Sequence, residues 1–344
     1  MIYFNLLIII LIIIFIHELG HYTVARLCKV SVTDFSIGFG KVLYSFKDKN
    51  NTNWKFSIIP LGGYVKIKGL DSIFKKNNNI NNEKDSFFSL SLIQKIYILL
   101  AGSFFNILSA WLCLFCIFFF FGITNILPII GNIVENSPAY KNDLRKGDII
   151  TKINNKHIQY FNDIPNAINN NQKIEIEIIR KNDVIKKEFD LFYNNQLNKY
   201  IIGISSTSEI IIDKYNFVLS IKKSISFIPI YYYETIKYLQ KSYNNNTLSN
   251  EVAGPIGMVK MADKLMLDKL NGVLIIFISI SLFVGLFNLF PIPLLDGGHI
   301  IYFIIRSIFS NNLSTSFTKF YLITGFIIIS FLFFIITFND IFYK

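Results

Sequence analysis

Residues 2–27 read IYFNLLIIILIIIFIHELGHYTVARL, and the order of apolar and polar residues in that stretch decides the fold. Ile2 to Ile16 is almost wholly apolar, and the run continues less purely to Leu27. A helix needs ~20 apolar residues to cross the ~30 Å hydrocarbon core of a bilayer, so this stretch is expected to span a membrane. It has no basic residues ahead of it and no small-residue cleavage site behind it, which reads as a retained helix and not a signal peptide. His17, Glu18 and His21 interrupt its second half. Polar groups of that kind are costly in a membrane helix, roughly 2–3 kcal/mol or more for a charge, so they need a partner or a function.

Working outward, three further stretches are apolar enough to span or nearly so: Ile96–Phe121, Val273–Leu295 and Tyr321–Phe338. The expected fold is an α-helical polytopic membrane protein of about four transmembrane helices, with membrane-associated β-hairpins and an inserted small α+β domain. Composition agrees. Of 344 residues 52% are hydrophobic and only 17% charged, which excludes a disordered chain. The 34 Lys and Arg against 23 Asp and Glu give a net charge of +11, but in so apolar a chain this reads as basic loops and not as a nucleic-acid surface. Three cysteines are too few for a disulfide framework, and Cys113 and Cys116 sit inside an apolar helix as core.

Arg26 and Lys29 follow the first helix and none precedes it, so the positive-inside rule predicts an outer N-terminus and a cytoplasmic 28–95 segment. Lys260, Lys264 and Lys269 then fall on the outer side, against the rule. The expected organisation is helix 1 over 1–27, a β segment and loop over 28–95, helix 2 over 96–122 and a soluble domain over 123–195. A linker with an interfacial amphipathic helix covers 196–271, helix 3 covers 272–298, and a loop with helix 4 covers 299–344. Lys222, Lys223 and Glu234 break the apolar run of 215–241, which favours an interfacial helix over a fifth span. Gly38, Gly40, Gly62 and Gly63 mark turns between strands in 35–69, and 75–84 is a polar loop.

His17-Glu18-Leu19-Gly20-His21 is an H-E-x-x-H motif. Positions i and i+4 share a helix face, so both imidazoles can hold one zinc with Glu18 beside it as the base. Catalytic zinc takes a third protein ligand, and Asp296 is the candidate. Counted from the outer face, His17 lies ~24 Å deep and Asn288 ~22 Å, with Asp296 somewhat deeper, so the two motifs meet at one level. Pro291 and Pro293 unwind the backbone there. Gly62-Gly63 either makes a tight hairpin or offers an edge strand that unwinds a substrate helix; the second reading is favoured.

His17-Glu18-Leu19-Gly20-His21, Pro60-Leu-Gly-Gly-Tyr-Val-Lys-Ile-Lys-Gly69, Ala101-Gly-Ser-Phe-Phe-Asn106, Gly254-Pro-Ile-Gly257 and Asn288-Leu-Phe-Pro-Ile-Pro-Leu-Leu-Asp-Gly-Gly-His299 occur in that order along the chain. Together with the inserted domain they resemble the site-2 protease family of intramembrane zinc metalloproteases, in particular its bacterial RseP type. The resemblance implies His17, His21 and Asp296 as zinc ligands, one Zn2+ per chain, and Glu18 as the catalytic residue. It implies substrate contacts by Asn288, Asn106, Gly62 and Gly63. Ser103 stands where the family often has proline. The implied activity is cleavage of single-span membrane proteins in a bacterial inner membrane, in regulated intramembrane proteolysis of anti-sigma factors or of signal-peptide remnants. The alternative is a catalytically silent scaffold.

Pro128–Val134, Ser137-Pro-Ala139 and Leu144–Ile150 further resemble a single PDZ domain of the permuted bacterial kind. A groove between strand 130–134 and helix 164–168 is expected to add a peptide as an extra strand. The domain serves equally as a size filter that binds nothing. Asp143 stands where a glycine is usual. The expected partners are thus membrane-protein substrates, the lipid bilayer and a bound peptide, with no nucleic acid.

Overall fold

The computed structural model describes residues 2–70, 84–168, 171–194, 199–244, 269–309 and 313–342. The loop expected at 75–84 for the most part, Gly254–Gly257, Lys260 and Lys264 lie outside the described residues. The chain divides into two compact units, one of residues 1–116 and 221–344 and the other of residues 117–220.

The first unit opens with α1 (Ile2–Leu27), then β1 (Val32–Lys47), β2 (Asn53–Ile67) and α2 (Leu92–Cys116). α1 crosses α2 where both are stripped of side chain. A Cβ on Gly20 would lie 2.4 Å from the Ala101 carbonyl oxygen, so only glycine admits the contact. Between membrane helices no water drives association, and small residues let packing do it. Below the crossing, Ala25, Val30, Val32, Phe87, Ile98 and Phe303 form a buried apolar cluster.

β1 and β2 are long strands that double back. Val32–Ile37 pairs with Ile67–Gly63 on one side, and the pairs Asp34–Asn53 through Ile37–Phe56 rise together on the other. Tyr44–Lys47 then pairs with Phe56–Asn53. Two strands thus make four ribs, ordered 63–67, 32–37, 53–56 and 44–47. The glycines are not the turns that the sequence suggests. Gly38, Gly40 and Gly62 take φ of +86°, +85° and +108° within the strands, where they bend them, and the chain reverses at 48–52.

The inserted unit comprises β3 (Ile123–Ile126), β4 (Ile130–Ile133), α3 (Pro138–Lys141), β5 (Ile149–Ile153), β6 (Lys156–His157), α4 (Ile164–Ile168), β7 (Lys173–Arg180), β8 (Asp183–Asp190), β9 (Phe192–Asn194), β10 (Lys199–Ile201), β11 (Ile204–Ser206) and β12 (Ile210–Asp213). β6-β5-β7-β8 form one sheet, and Ile174, Ile176 and Ile178 alternate inward along β7 onto Ile130, Ile150 and Ile153. Asp143 has φ +48°, which explains the glycine usual there; aspartate tolerates that region better than most residues.

α5 (Phe217–Asn244) leads back into the first unit, which closes with α6 (Lys269–Phe287), α7 (Asp296–Ile308) and α8 (Thr315–Phe342). Tyr231 and Tyr232 of α5 donate their hydroxyls to the carbonyls of Ser279 and Leu282 on α6, at 3.3 and 3.0 Å. Among the described residues three helices are long and apolar enough to span a membrane: Phe4–Leu27, Leu92–Phe121 and Thr315–Asn339. The expected helix over 272–298 is corrected. Its apolar part ends at Phe287, residues 288–295 are irregular, and 299–308 belongs to α7 and not to a loop. Two prolines two residues apart remove amide donors, and Leu294 at φ +81° completes the break.

Candidate metal centre

His17 and His21 project from one face of α1 with ring centroids 4.8 Å apart. Asp296, the first residue of α7, meets them. Its Oδ2 lies 3.3 Å from His17 Nε2 and its Oδ1 lies 3.4 Å from His21 Nε2. One ligand atom from each of the three falls within 4.8 Å of the others.

The ring orientations suit ligation. His21 Nδ1 donates to the Ile98 carbonyl at 2.8 Å, which leaves the Nε2 lone pair facing His17 Nε2 at 3.2 Å. Asn106 lies against the other side of His17, with Nδ2 3.3 Å from Nδ1, while its Oδ1 is buried without a partner among the described residues. A half-turn of the amide exchanges the two atoms; Oδ1 then accepts the His17 Nδ1–H and frees Nε2. Asp296 Oδ2 is likewise buried with no hydrogen-bond donor among the described residues. Two imidazole nitrogens and a carboxylate oxygen turned on one point are electrostatically satisfied by a cation, so these residues fit zinc with its usual N and O donors.

Two close approaches build the site. A Cβ on Gly102 of α2 would stand 2.3 Å from His21 Nε2 and 2.7 Å from His17 Nε2. On α7, Cβ atoms on Gly297 and Gly298 would strike the Leu289 and Ile292 carbonyl oxygens at 2.2 and 2.1 Å. The 288–295 segment therefore folds flush onto the first turn of α7, where the Gly297 amide donates to the Asn288 carbonyl at 2.8 Å. Asn288 Nδ2 reaches to 3.5 Å from His17 Nε2.

A cavity of about 400 Å³ opens on the cluster, and Glu18, Gly62, Gly63, Asn288 and Asp296 line it. A Cβ on Gly63 would come 3.0 Å from Glu18 Cγ, so that glycine lets β2 lie directly on the glutamate. Asn106, expected from the sequence to contact substrate, is fully buried, meets His17 and is not among the residues that line the cavity. His299, a member of the cavity wall, and Gly102 were not among the predicted site residues. The Ile98 carbonyl is a backbone group, and no residue pattern marks it.

Apolar helices of spanning length that carry an H-E-x-x-H pair, closed by an aspartate from a distant helix, define a membrane metalloprotease of the site-2 type. The chain belongs to peptidase family M50, whose model matches residues 5–332. A Rickettsia conorii protein named "Putative zinc metalloprotease" is 36% identical over 96% of this chain and 95% of its own length. Proteins of the same name from Helicobacter pylori and Campylobacter jejuni are 34% and 35% identical over 95% of this chain, covering 95% and 90% of their own. A solved PDZ domain of an SdrC-like protein from Listeria monocytogenes is 17% identical over 23% of this chain and 84% of its own, with a TM-score of 0.21; at that score it carries no argument.

Proposed function

We propose that this protein is an intramembrane zinc endopeptidase of a bacterial plasma membrane that cuts single-span membrane proteins, with α6 as a fourth crossing. The observation that carries the reading is the convergence of His17, His21 and Asp296 beside Glu18 in a cavity walled by β2. One zinc per chain, when bound, polarises the scissile carbonyl and lowers the pKa of a water toward ~7. Glu18 takes the proton of the attacking water and returns it to the leaving nitrogen. Asn288, at the cavity wall, donates its amide to the oxygen on which charge develops.

A helical substrate hides its peptide bonds, so it must be unwound before attack. Among the described residues Gly63–Val65 has one strand neighbour, Val32–Ile37, and borders the cavity along its other side. An extended substrate segment adds there as a further strand, its backbone held beside Glu18. Trimmed anti-sigma factors and signal-peptide remnants are substrates of this form.

The inserted unit supports a second, subordinate role as a PDZ-like peptide site. A cavity of about 560 Å³ lies between α4 and Lys199–Ile204. Of the strand expected at 130–134, Val134 lines this cavity, while β4 is paired on both sides at Ile130. Ile204 and Ser206 of β11 pair with Ile133 and Ile130, while the Ile130 amide donates to the Asp148 carbonyl. The strand wall of the cavity is β10 together with Ile202–Ile204. A catalytically silent scaffold would use this groove alone and would leave the buried ligand set without a purpose.

Cleavage of a single-span substrate by the purified protein in liposomes tests the proposal. Glu18→Gln is expected to keep its zinc and to lose at least a hundredfold in rate, since general-base catalysis contributes about 10²–10⁴-fold. Near-normal turnover by that variant at saturating zinc overturns the role of Glu18.

A further inference from the structure

Away from the metal centre, two cations share one aromatic seat. Lys95, in the first turn of α2, and Arg306, in the last turn of α7, both lie over the Phe88 ring, with Nζ 5.7 Å and Cζ 4.5 Å from its centroid. Lys95 Nζ also lies 6.0 Å from the Phe303 centroid, and Phe303 stacks obliquely on Phe87 at 5.2 Å. The ring faces hold both cations by their quadrupoles but neutralise neither.

The hydrogen bonding there is incomplete. Lys95 Nζ donates to the Phe88 carbonyl at 3.4 Å, and Arg306 Nε is enclosed with no acceptor among the described residues. Neither cation has an ion-pair partner among the described residues. A guanidinium N–H withdrawn from water without an acceptor is costly, and two neighbouring cations without an anion add repulsion to that cost.

Ile93 and Tyr97 flank Lys95 on α2, Ile308 and Phe309 follow Arg306 on α7, and all four are exposed. Leu92 also begins one of the helices of spanning length, so the pair sits at a helix end with bare apolar and aromatic residues beside it. We propose that Lys95 and Arg306 bind the phosphate of an anionic phospholipid, whose acyl chains cover the exposed residues. A guanidinium fork matches phosphate oxygens and an ammonium adds a point charge; basic residues between helix ends meet anionic lipid on the cytoplasmic leaflet. The inference does not depend on the protease reading.

Native mass spectrometry of the full-length protein, delipidated and titrated with phosphatidylglycerol or with phosphatidylcholine of the same chains, tests it. The wild type is expected to retain phosphatidylglycerol in preference. Lys95→Gln and Arg306→Gln are each expected to weaken that retention about fivefold, and the pair more. Arg306→Lys, which keeps the charge, is expected to retain most of the preference and serves if Arg306→Gln fails to fold. Equal retention of the two lipids by the wild type overturns the proposal, as does undiminished preference in a folded Lys95→Gln variant. Inorganic phosphate is expected to leave thermal stability unchanged; if it stabilises the wild type as much as phosphatidylglycerol does, the ligand is free phosphate and the lipid assignment falls.

Discussion

His17 and His21 are held by unlike partners, and the difference predicts unlike consequences of substitution. The Ile98 carbonyl that orients His21 survives any change of side chain at 98, because it belongs to the backbone of α2. The orientation of His17 rests on one removable group, the Asn106 amide. Groups that fix a ligating imidazole are worth about 10–100-fold in metal affinity. Asn106→Ala is accordingly expected to weaken zinc binding by about that factor, and Asn106→Asp, which keeps an acceptor toward Nδ1, to recover much of it. Competition for zinc against a chelator of known affinity reads both. If Asn106→Ala binds zinc as tightly as the wild type, the amide does not position His17. This role was out of reach of the sequence, in which Asn106 was one polar residue in an apolar helix. The cluster of His17, His21 and Asp296 is legible in the sequence, since i, i+4 spacing is local and an aspartate beside two prolines in an apolar run is conspicuous. What no spacing shows is that Gly102 brings α2 against both rings.

At the scale of elements, the β ribs over the site illustrate what period-2 patterning conveys and what it omits. Strand character in 35–69 was readable; the doubling back was not, because a glycine at positive φ marks a turn and a bend alike. The sheet is tied down by two carboxylates. Asp48 accepts from the Tyr22 hydroxyl and Trp54 Nε1, both at 3.0 Å, which joins the 48–52 turn to α1 one residue beyond His21. Asp34 pairs with Lys55 at 2.5 Å across the ribs. Burial by itself would raise the Asp34 carboxyl, but the Lys55 ammonium, with Thr33 and Asn53 donating, holds it below the usual carboxylate range. A carboxyl so depressed stabilises the fold above its unfolded pKa of ~3.9 and ceases to do so as pH falls through the folded value. Asp34→Asn is expected to cost about 2 kcal/mol at neutral pH, the scale of a hydrogen bond to a charge, and to flatten the loss of stability below about pH 4. Thermal unfolding of both proteins from pH 7 to pH 3 measures this. Parallel curves for the two would show that another group governs the acid limb.

For the whole molecule, the cluster of His17, His21 and Asp296 joins parts of the chain far apart in sequence, so a zinc ion held there would be a term in the stability of the unit that contains them. His17 and His21 come from α1, Asp296 from α7, and α2 backs the two histidines through Gly102 and Asn106. A ligand that binds only the folded state stabilises it by RT ln(1 + [L]/Kd), about 4 kcal/mol at a thousandfold excess over Kd. Chelation is therefore expected to lower the unfolding temperature of the wild type by several degrees. Glu18→Gln should keep the full response, because Glu18 is beside the ligand set and not in it. Asp296→Ala should lose most of the response, since a two-histidine site lacks its only anionic donor, and Asn106→Ala should fall between. The ordering separates roles that an activity assay merges, because all three variants are expected to be poor proteases. Unfolding in detergent at two buffered zinc concentrations supplies the measurement. If Asp296→Ala responded to zinc as the wild type does, α7 would not contribute a ligand. The flush fold of residues 288–295 on its first turn would then serve to shape the cavity alone.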